Sequence, residues 1–230
     1  MSKYKQGFNM IIGNGLIAKA LNNINSGNML FFASGVSNSL ETRSSEFERE
    51  FTLLKNTLEN NTGKLIYFST LSIHDQSKQD SHYVLHKLKI ENYIKDHVAD
   101  YLILRIGNIV GNGGNPNTLF NFLKTQIMNG NKFVTHQKAR RLLLDIDDIS
   151  RFIVSNCTHL NKETINLAYP YYYDLKEIVG AIQEKIDKPA HYDEINEGDF
   201  YKVAFDDSID EFFSGISPEN YLKNLAQKYI

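Results

Sequence analysis

Tyr83 and Lys87 stand four residues apart in Tyr83-Val84-Leu85-His86-Lys87. On a helix, positions i and i+4 share a face, so the phenol and the ammonium point into the same space. A nearby cation stabilises phenolate, which equips a tyrosine to give and take a proton. Any helix can carry such a pair by chance, and in isolation it reads as surface. The upstream Ser69-Thr70 shifts the balance, because it sets hydroxyls at a strand end, where one could bind a substrate oxygen. A second site is Gly13-Asn14-Gly15-Leu16-Ile17-Ala18, a G-x-G-x-x-A pattern. Two glycines permit a tight turn and close approach to a pyrophosphate, and Ala18 permits close helix–strand packing. The helix N-terminus then offers free N–H groups to the phosphates. Gly-x-Gly turns are common after strands, and it is the position between the chain's first strand and helix that favours a dinucleotide over a plain turn.

Other residues carry weaker signals. His82 and His86 have i,i+4 spacing that can bind a metal, but they and His74 read as surface histidines, and no metal is expected. Cys157 follows a helical run and reads as a small buried side chain rather than a nucleophile. Tyr169 and Tyr171–Tyr173 could stack on a base, with core packing an equal reading. Asp147 and Asp148 suit a helix start better than acid catalysis. Arg140 or Arg141 could hold a diphosphate.

These residues need elements to position them. Strand and helix signals alternate, which predicts βα units and a parallel sheet. Phe8–Ile12, Met29–Ala33, Leu65–Ser69 and Tyr101–Ile106 read as buried strands. Phe47, Phe51, Leu54 and Leu58 form an apolar stripe at helical spacing between Ser44 and Asn60. Tyr83 to about His97 reads as a helix, and a Gly/Asn-rich loop covers Gly107 to Asn117. A helix near Leu119–Asn129, a short strand near Arg141–Leu144, a strand at Ile165–Ala168 and a helix at Leu175–Ile186 follow. The rest reads as a looser acidic, aromatic-rich tail.

The bulk numbers narrow the function. With 230 residues, the chain can build one sizeable core or a core with a small lobe. Net charge is −2 with scattered cations, which excludes a basic field for nucleic acid or an anionic membrane. One cysteine excludes an internal disulfide and suggests a reducing, cytoplasmic setting. The N-terminus lacks a signal-peptide pattern, and no window approaches a membrane span.

Taken in order, IIGNGLIAKAL, FFASGVSNS, LIYFSTLSI, SHYVLHKLKIEN, LILRIGNIVGNG, RLLLDIDDIS and INLAYPYYYDLKEIVGAI resemble the extended short-chain dehydrogenase/reductase superfamily of nucleotide-sugar epimerases, dehydratases and ketoreductases. The resemblance implies Thr70, Tyr83 and Lys87 as the catalytic set. It implies cofactor contacts from Gly13, Asn14, Gly15, Leu16, Ile17, Ala33, Ser34, Gly35, Ser69, Tyr83 and Lys87. It implies substrate contacts from Thr70, Ser72, Asn108 and Arg141. The departures matter as well. Ala33 follows Gly13 by 20 positions instead of some 60, so the second strand, its helix and the third strand are missing. That segment normally supplies the residue that reads the adenosine ribose. The glycine turn is one residue short, and Glu50 occupies a helix position that is often Asn. Leu71 and Ser72 stand where dehydratases carry Asp-Glu, which disfavours 4,6-dehydration.

The expected fold is a shortened Rossmann-type parallel sheet with helices on both faces and a small C-terminal substrate lobe. Residues 1–160 would form the dinucleotide-binding core and 161–230 the lobe, with contributions from 112–145. The expected activity is NAD(P)-dependent reduction of a keto-sugar nucleotide, NADPH favoured, in surface-polysaccharide precursor synthesis. A trimmed adenosine site suits an exchangeable cofactor, as a reductase needs. A C4 epimerase and a non-catalytic binding protein are the alternatives. A homodimer, packed through the 44–60 helix and the helix from Tyr83, is expected. The side of the first strand on which Met29–Ala33 pairs is left open, because the crossover is right-handed by preference.

Overall fold

In the computed structural model, apolar runs bounded by turn residues become strands of a parallel sheet. The structure describes residues 10–24, 28–198 and 200–230. Phe8 and Asn9, expected to open the first strand, lie outside them. The chain divides into two compact units, Met1–Ile106 with Asp147–Asn166, and Gly107–Ile146 with Leu167–Ile230.

The first unit carries the sheet. Its elements are β1 (Met10–Ile12), α1 (Leu16–Leu21), β2 (Met29–Phe32), α2 (Ser44–Glu59), β3 (Lys64–Thr70), α3 (His82–His97) and β4 (Tyr101–Ile106). Among the described residues the strand order is β1-β2-β3-β4-β9, where β9 is Glu163–Leu167. The pairings β1–β2, β2–β3 and β3–β4 are parallel, with Ile12 opposite Phe32, Phe32 opposite Tyr67 and Tyr67 opposite Ile103. β2 thus lies between β1 and β3. Strand order therefore advances in one direction, without the reversal that makes a crevice in doubly wound sheets.

Burial explains the strand composition. Nearly every residue of β2, β3 and β4 is buried, as expected where helices cover both faces and side chains of either parity need an apolar partner. On one face Leu30, Phe32, Leu65, Tyr67 and Ile103 pack with Leu54 of α2 and Ile90 and Ile94 of α3. β1 is the exception, with three residues that are exposed or half-buried. α3 starts where Ser81 Oγ accepts from Val84 N at 3.2 Å, a serine cap. Two 3₁₀ turns, Leu71–His74 and Gln76–Lys78, occupy the short run before α3. Cys157 closes α5 (Ile146–Asn156) and is fully buried, and burial pushes its thiol pKa up.

Among its described residues the second unit holds three two-stranded ladders. β5 (Asn108–Val110) pairs with β8 (Leu143–Asp145), β6 (Lys132–His136) with β11 (His191–Ile195), and β7 (Arg140–Arg141) with β10 (Tyr173–Asp174). The helices are α4 (Leu119–Asn129), α6 (Leu175–Ile186), α7 (Asp207–Phe212) and α8 (Pro218–Tyr229). α6 opens with a reciprocal cap between Asp174 and Glu177. The expected loop from Gly107 thus begins as a strand, and the expected loose tail is helical. α8 is fixed by Asp145, whose carboxylate accepts from Lys228 Nζ at 2.8 Å and from the Tyr229 hydroxyl. Tyr169 stacks on Tyr221 with ring centroids 4.1 Å apart, so core packing accounts for this member of the aromatic group.

Candidate functional site

Three parallel strands of the first unit end at one edge, and their last residues begin the site. After β1, Gly13 takes φ +129°, a conformation that L side chains rarely adopt. A Cβ there would lie 2.4 Å from the Ala33 carbonyl oxygen, so this glycine is demanded by the neighbouring strand end. Gly15 differs: a Cβ built on it meets nothing within 4 Å, and it leads directly into α1. Asn14 is exposed, while Leu16, Ile17, Ala33, Ser34 and Gly35 are half-buried along the same edge.

Ser69 and Thr70 close β3. Ser69 Oγ is buried and has no hydrogen-bond partner among the described residues. An unpaired buried hydroxyl costs about 1–3 kcal/mol, which a ligand atom could recover. Thr70 Oγ1 accepts from Ser72 N at 3.1 Å, capping the first 3₁₀ turn and leaving its own proton to donate. That turn packs against α3. The short 70–83 connection therefore holds the Thr70 end of β3 near α3. Ser72 is half-buried within the turn.

α3 presents Tyr83 and Lys87 one turn apart, with Lys87 Nζ 5.9 Å from the Tyr83 ring centroid. Tyr83 is half-buried, whereas Lys87 is only 2% exposed. A buried ammonium needs a partner. Glu50 of α2 supplies it: Lys87 Nζ donates to Glu50 Oε1 at 2.9 Å and to Tyr67 Oη at 3.1 Å. The Tyr67 hydroxyl in turn donates to Glu50 Oε1 at 3.0 Å. Burial pushes Tyr67 far above the ordinary phenol range, and the Glu50 carboxylate adds to this, so it stays a donor. Glu50 Oε2 accepts from Val36 N at 2.6 Å and lies 3.1 Å from His86 Nε2. Ionised Glu50 only accepts, so the His86 tautomer must carry its proton on Nε2. Burial alone would raise the Glu50 pKa; Lys87, His86 and the Val36 amide together outweigh it and hold it at about 2.

The sequence reading noted Glu50 as a departure but missed its pairing with Lys87, and it missed Tyr67. A signal existed for Glu50, because it sits within the stripe Phe47, Phe51, Leu54 at a position where an apolar residue belongs. His86 is bound to Glu50 and its ring lies 4.7 Å from that of Phe47, so the surface reading of this histidine is corrected. Among the described residues no group of three or more His, Cys, Asp or Glu could hold a metal ion. Asp148 lies in the first turn of α5, is fully buried and pairs with Arg151.

Asn108 and Arg141 belong to the second unit. Asn108 Nδ2 donates to the Leu142 carbonyl at 3.1 Å, and Arg141 Nη1 to the Arg140 carbonyl at 2.8 Å. Arg141 stands opposite Tyr173, and Arg140 opposite Asp174, in the β7–β10 ladder.

No protein-family model matches this sequence, and no curated protein matches it. Solved structures do match. RMD from Pseudomonas aeruginosa, complexed with NADPH, is 12% identical with a TM-score of 0.69, covering 94% of this chain and 87% of that one. UDP-N-acetylglucosamine 4-epimerase from Methanobrevibacter ruminantium M1, in complex with UDP-N-acetylmuramic acid, is 15% identical with a TM-score of 0.70. That match covers 94% of this chain and 80% of the epimerase. The chain shares its fold with these two structures. A third structure with this fold, dTDP-glucose 4,6-dehydratase from Bacillus anthracis with NAD, is 15% identical (TM-score 0.65) and covers 87% of this chain and 72% of that one. In open α/β sheets, ligands bind outside the carboxyl ends of the strands. Gly13–Gly15, Ala33–Gly35 and Ser69–Thr70 all follow or end such strands here. Among the described residues no helix is long and apolar enough to cross a membrane.

Proposed function

We propose that the chain reduces a keto-sugar carried on a nucleoside diphosphate, using a nicotinamide dinucleotide and favouring NADPH. The observation that carries this reading is the placement of Tyr83 and Lys87 on one face of α3, beside the turn that Thr70 caps. The open space at Gly15, the unpartnered Ser69 hydroxyl and an ammonium with a third N–H fit a dinucleotide lying along the strand ends. Gly13 to Ile17 would hold its diphosphate, with Ala33, Ser34, Gly35 and Ser69 as further contacts, and Lys87 its ribose. When bound, that group supplies a hydride. Thr70 donates a hydrogen bond to the ketone oxygen and fixes the carbonyl near Tyr83. Tyr83 gives its phenolic proton to that oxygen as the carbon gains the hydride, so ketone becomes alcohol. Lys87 compensates the negative charge left on the phenol. Ser72, in the turn that Thr70 caps, is the proposed substrate contact within this unit.

Tyr83→Phe tests this directly. It should lower turnover of a UDP- or dTDP-keto-sugar by roughly 10²- to 10⁴-fold, the usual worth of a positioned acid, while leaving unfolding by urea unchanged. Full turnover in Tyr83→Phe would sink the mechanism.

One observation favours a second reading, a non-catalytic binding protein: Lys87 is buried and already engaged by Glu50 and Tyr67. Calorimetric titration with NAD, NADH, NADP and NADPH, with and without sugar nucleotide, separates the two. Binding of no dinucleotide under any condition selects the second.

We also propose a homodimer packed through α2 and α3. Between them lie half-buried Phe47, Phe51 and Tyr93, and Leu85 is 51% exposed. Sedimentation as a monomer at high concentration would overturn this.

A further inference from the structure

One buried carboxylate joins three separate pieces of the first unit. Glu50, fully buried on α2, receives the Val36 amide from the loop after β2, the Tyr67 hydroxyl from β3, and Lys87 and His86 from α3. Its two oxygens divide the work. Oε1 takes Lys87 and Tyr67, and Oε2 takes Val36 and His86. The loop also touches the ammonium itself: a Cβ on Gly35 would stand 2.6 Å from Lys87 Nζ and 3.2 Å from Glu50 Oε1. A side chain at position 35 would have to displace the ammonium. The carboxylate therefore stays ionised and loses both oxygens' freedom at once, because shifting toward either side breaks a charge-assisted bond on the other.

We infer that Glu50 is a positioning residue that couples the Lys87 ammonium to the Gly35–Val36 backbone, so that the two hold or lose their places together. This rests on the reductase reading for its purpose, since the loop follows the strand end assigned to the cofactor and Lys87 stands beside the proton donor. The coupling itself is a property of the protein without ligand. A cofactor settling against the loop would thereby also set Lys87, which does in this shortened chain part of what a longer nucleotide-binding segment would do.

The test is hydrogen exchange at the Val36 amide in unliganded protein. Lys87→Met touches neither Val36 nor its bond, yet it should speed exchange there about tenfold while amides of Leu102 and Ile103 keep their protection. Should Lys87→Met not fold, Tyr67→Phe removes one hydroxyl from the same carboxylate oxygen and should speed Val36 exchange about threefold. A kinetic arm follows with Glu50→Gln, which keeps shape and loses charge: at a temperature where it is fully folded, KM for NADPH should rise and kcat fall, each about tenfold. A purely structural Glu50 would leave both unchanged in the folded protein. Val36 exchange that does not respond to Lys87→Met or Tyr67→Phe overturns the coupling. Because exchange is read without cofactor, a wild type that turns over no keto-sugar defeats the reductase reading alone.

Discussion

The two ends of the proposed cofactor site are built to different standards. Around Lys87, two helices, a strand and a loop converge on a fully buried glutamate, and a second ion pair, buried Glu91 with half-buried Arg105 at 2.7 Å, lies one turn further along α3. At the β1 end, the strand leads to a helix of only six residues, and the turn between them is exposed. Buried charges tolerate no slack, because each loses solvation that only a fixed partner returns. An exposed turn relies on backbone shape alone. The difference shows where this chain invests its rigidity: in the placement of the ammonium, with the phosphate-side turn kept to the minimum that two glycines allow.

The contrast can be broken from its strong side first. Glu50→Ala leaves Lys87 buried without a counter-charge and should cost about 3–5 kcal/mol in urea unfolding. A loss below about 1 kcal/mol would mean water reaches the ammonium and the convergence is not rigid. Acid tests the same carboxylate without mutation. The Glu50 pKa is depressed to about 2 from an ordinary 4.5, so its contribution is complete above pH 4.5 and fades as pH falls toward 2. That window should remove about 3 kcal/mol of stability. Glu50→Gln should flatten the loss, and an unchanged acid slope in that variant would place the titration elsewhere.

The weak side should respond less, and unequally. Gly13→Ala forces a side chain into a positive-φ position against the Ala33 carbonyl and should cost about 1–3 kcal/mol. Gly15→Ala enters open space with ordinary backbone angles, so thermal unfolding should change by less than about 0.5 kcal/mol. It should still weaken dinucleotide binding in calorimetry, because the methyl group fills the space the diphosphate is proposed to use. Equal stability losses in the two variants would erase the distinction between a structural and a binding glycine.

Much of this was legible in the sequence, and the reasons differ by element. β2, β3 and β4 were readable as unbroken apolar runs, and α3 as the carrier of Tyr83 and Lys87, because spacing alone fixes what shares a helical face. The Glu50–Lys87 contact was not readable, since it joins residues 37 apart whose meeting depends on how two helices lie on the sheet. The position of β2 was also hidden, because an apolar run does not name its neighbours. The helical tail had one local signal, Ser217-Pro218. A serine cap followed by proline at the first helical position announces α8, and Ser217 Oγ does accept from Asn220 N at 3.3 Å.

Cys157 gives the protein an internal clock. It is the chain's single cysteine and is sealed at the end of α5 within the first unit. A thiol reagent can reach it only when the structure around it opens. The rate of labelling under native conditions thus records how often that region breathes, with no label to engineer and no second thiol to confuse the count.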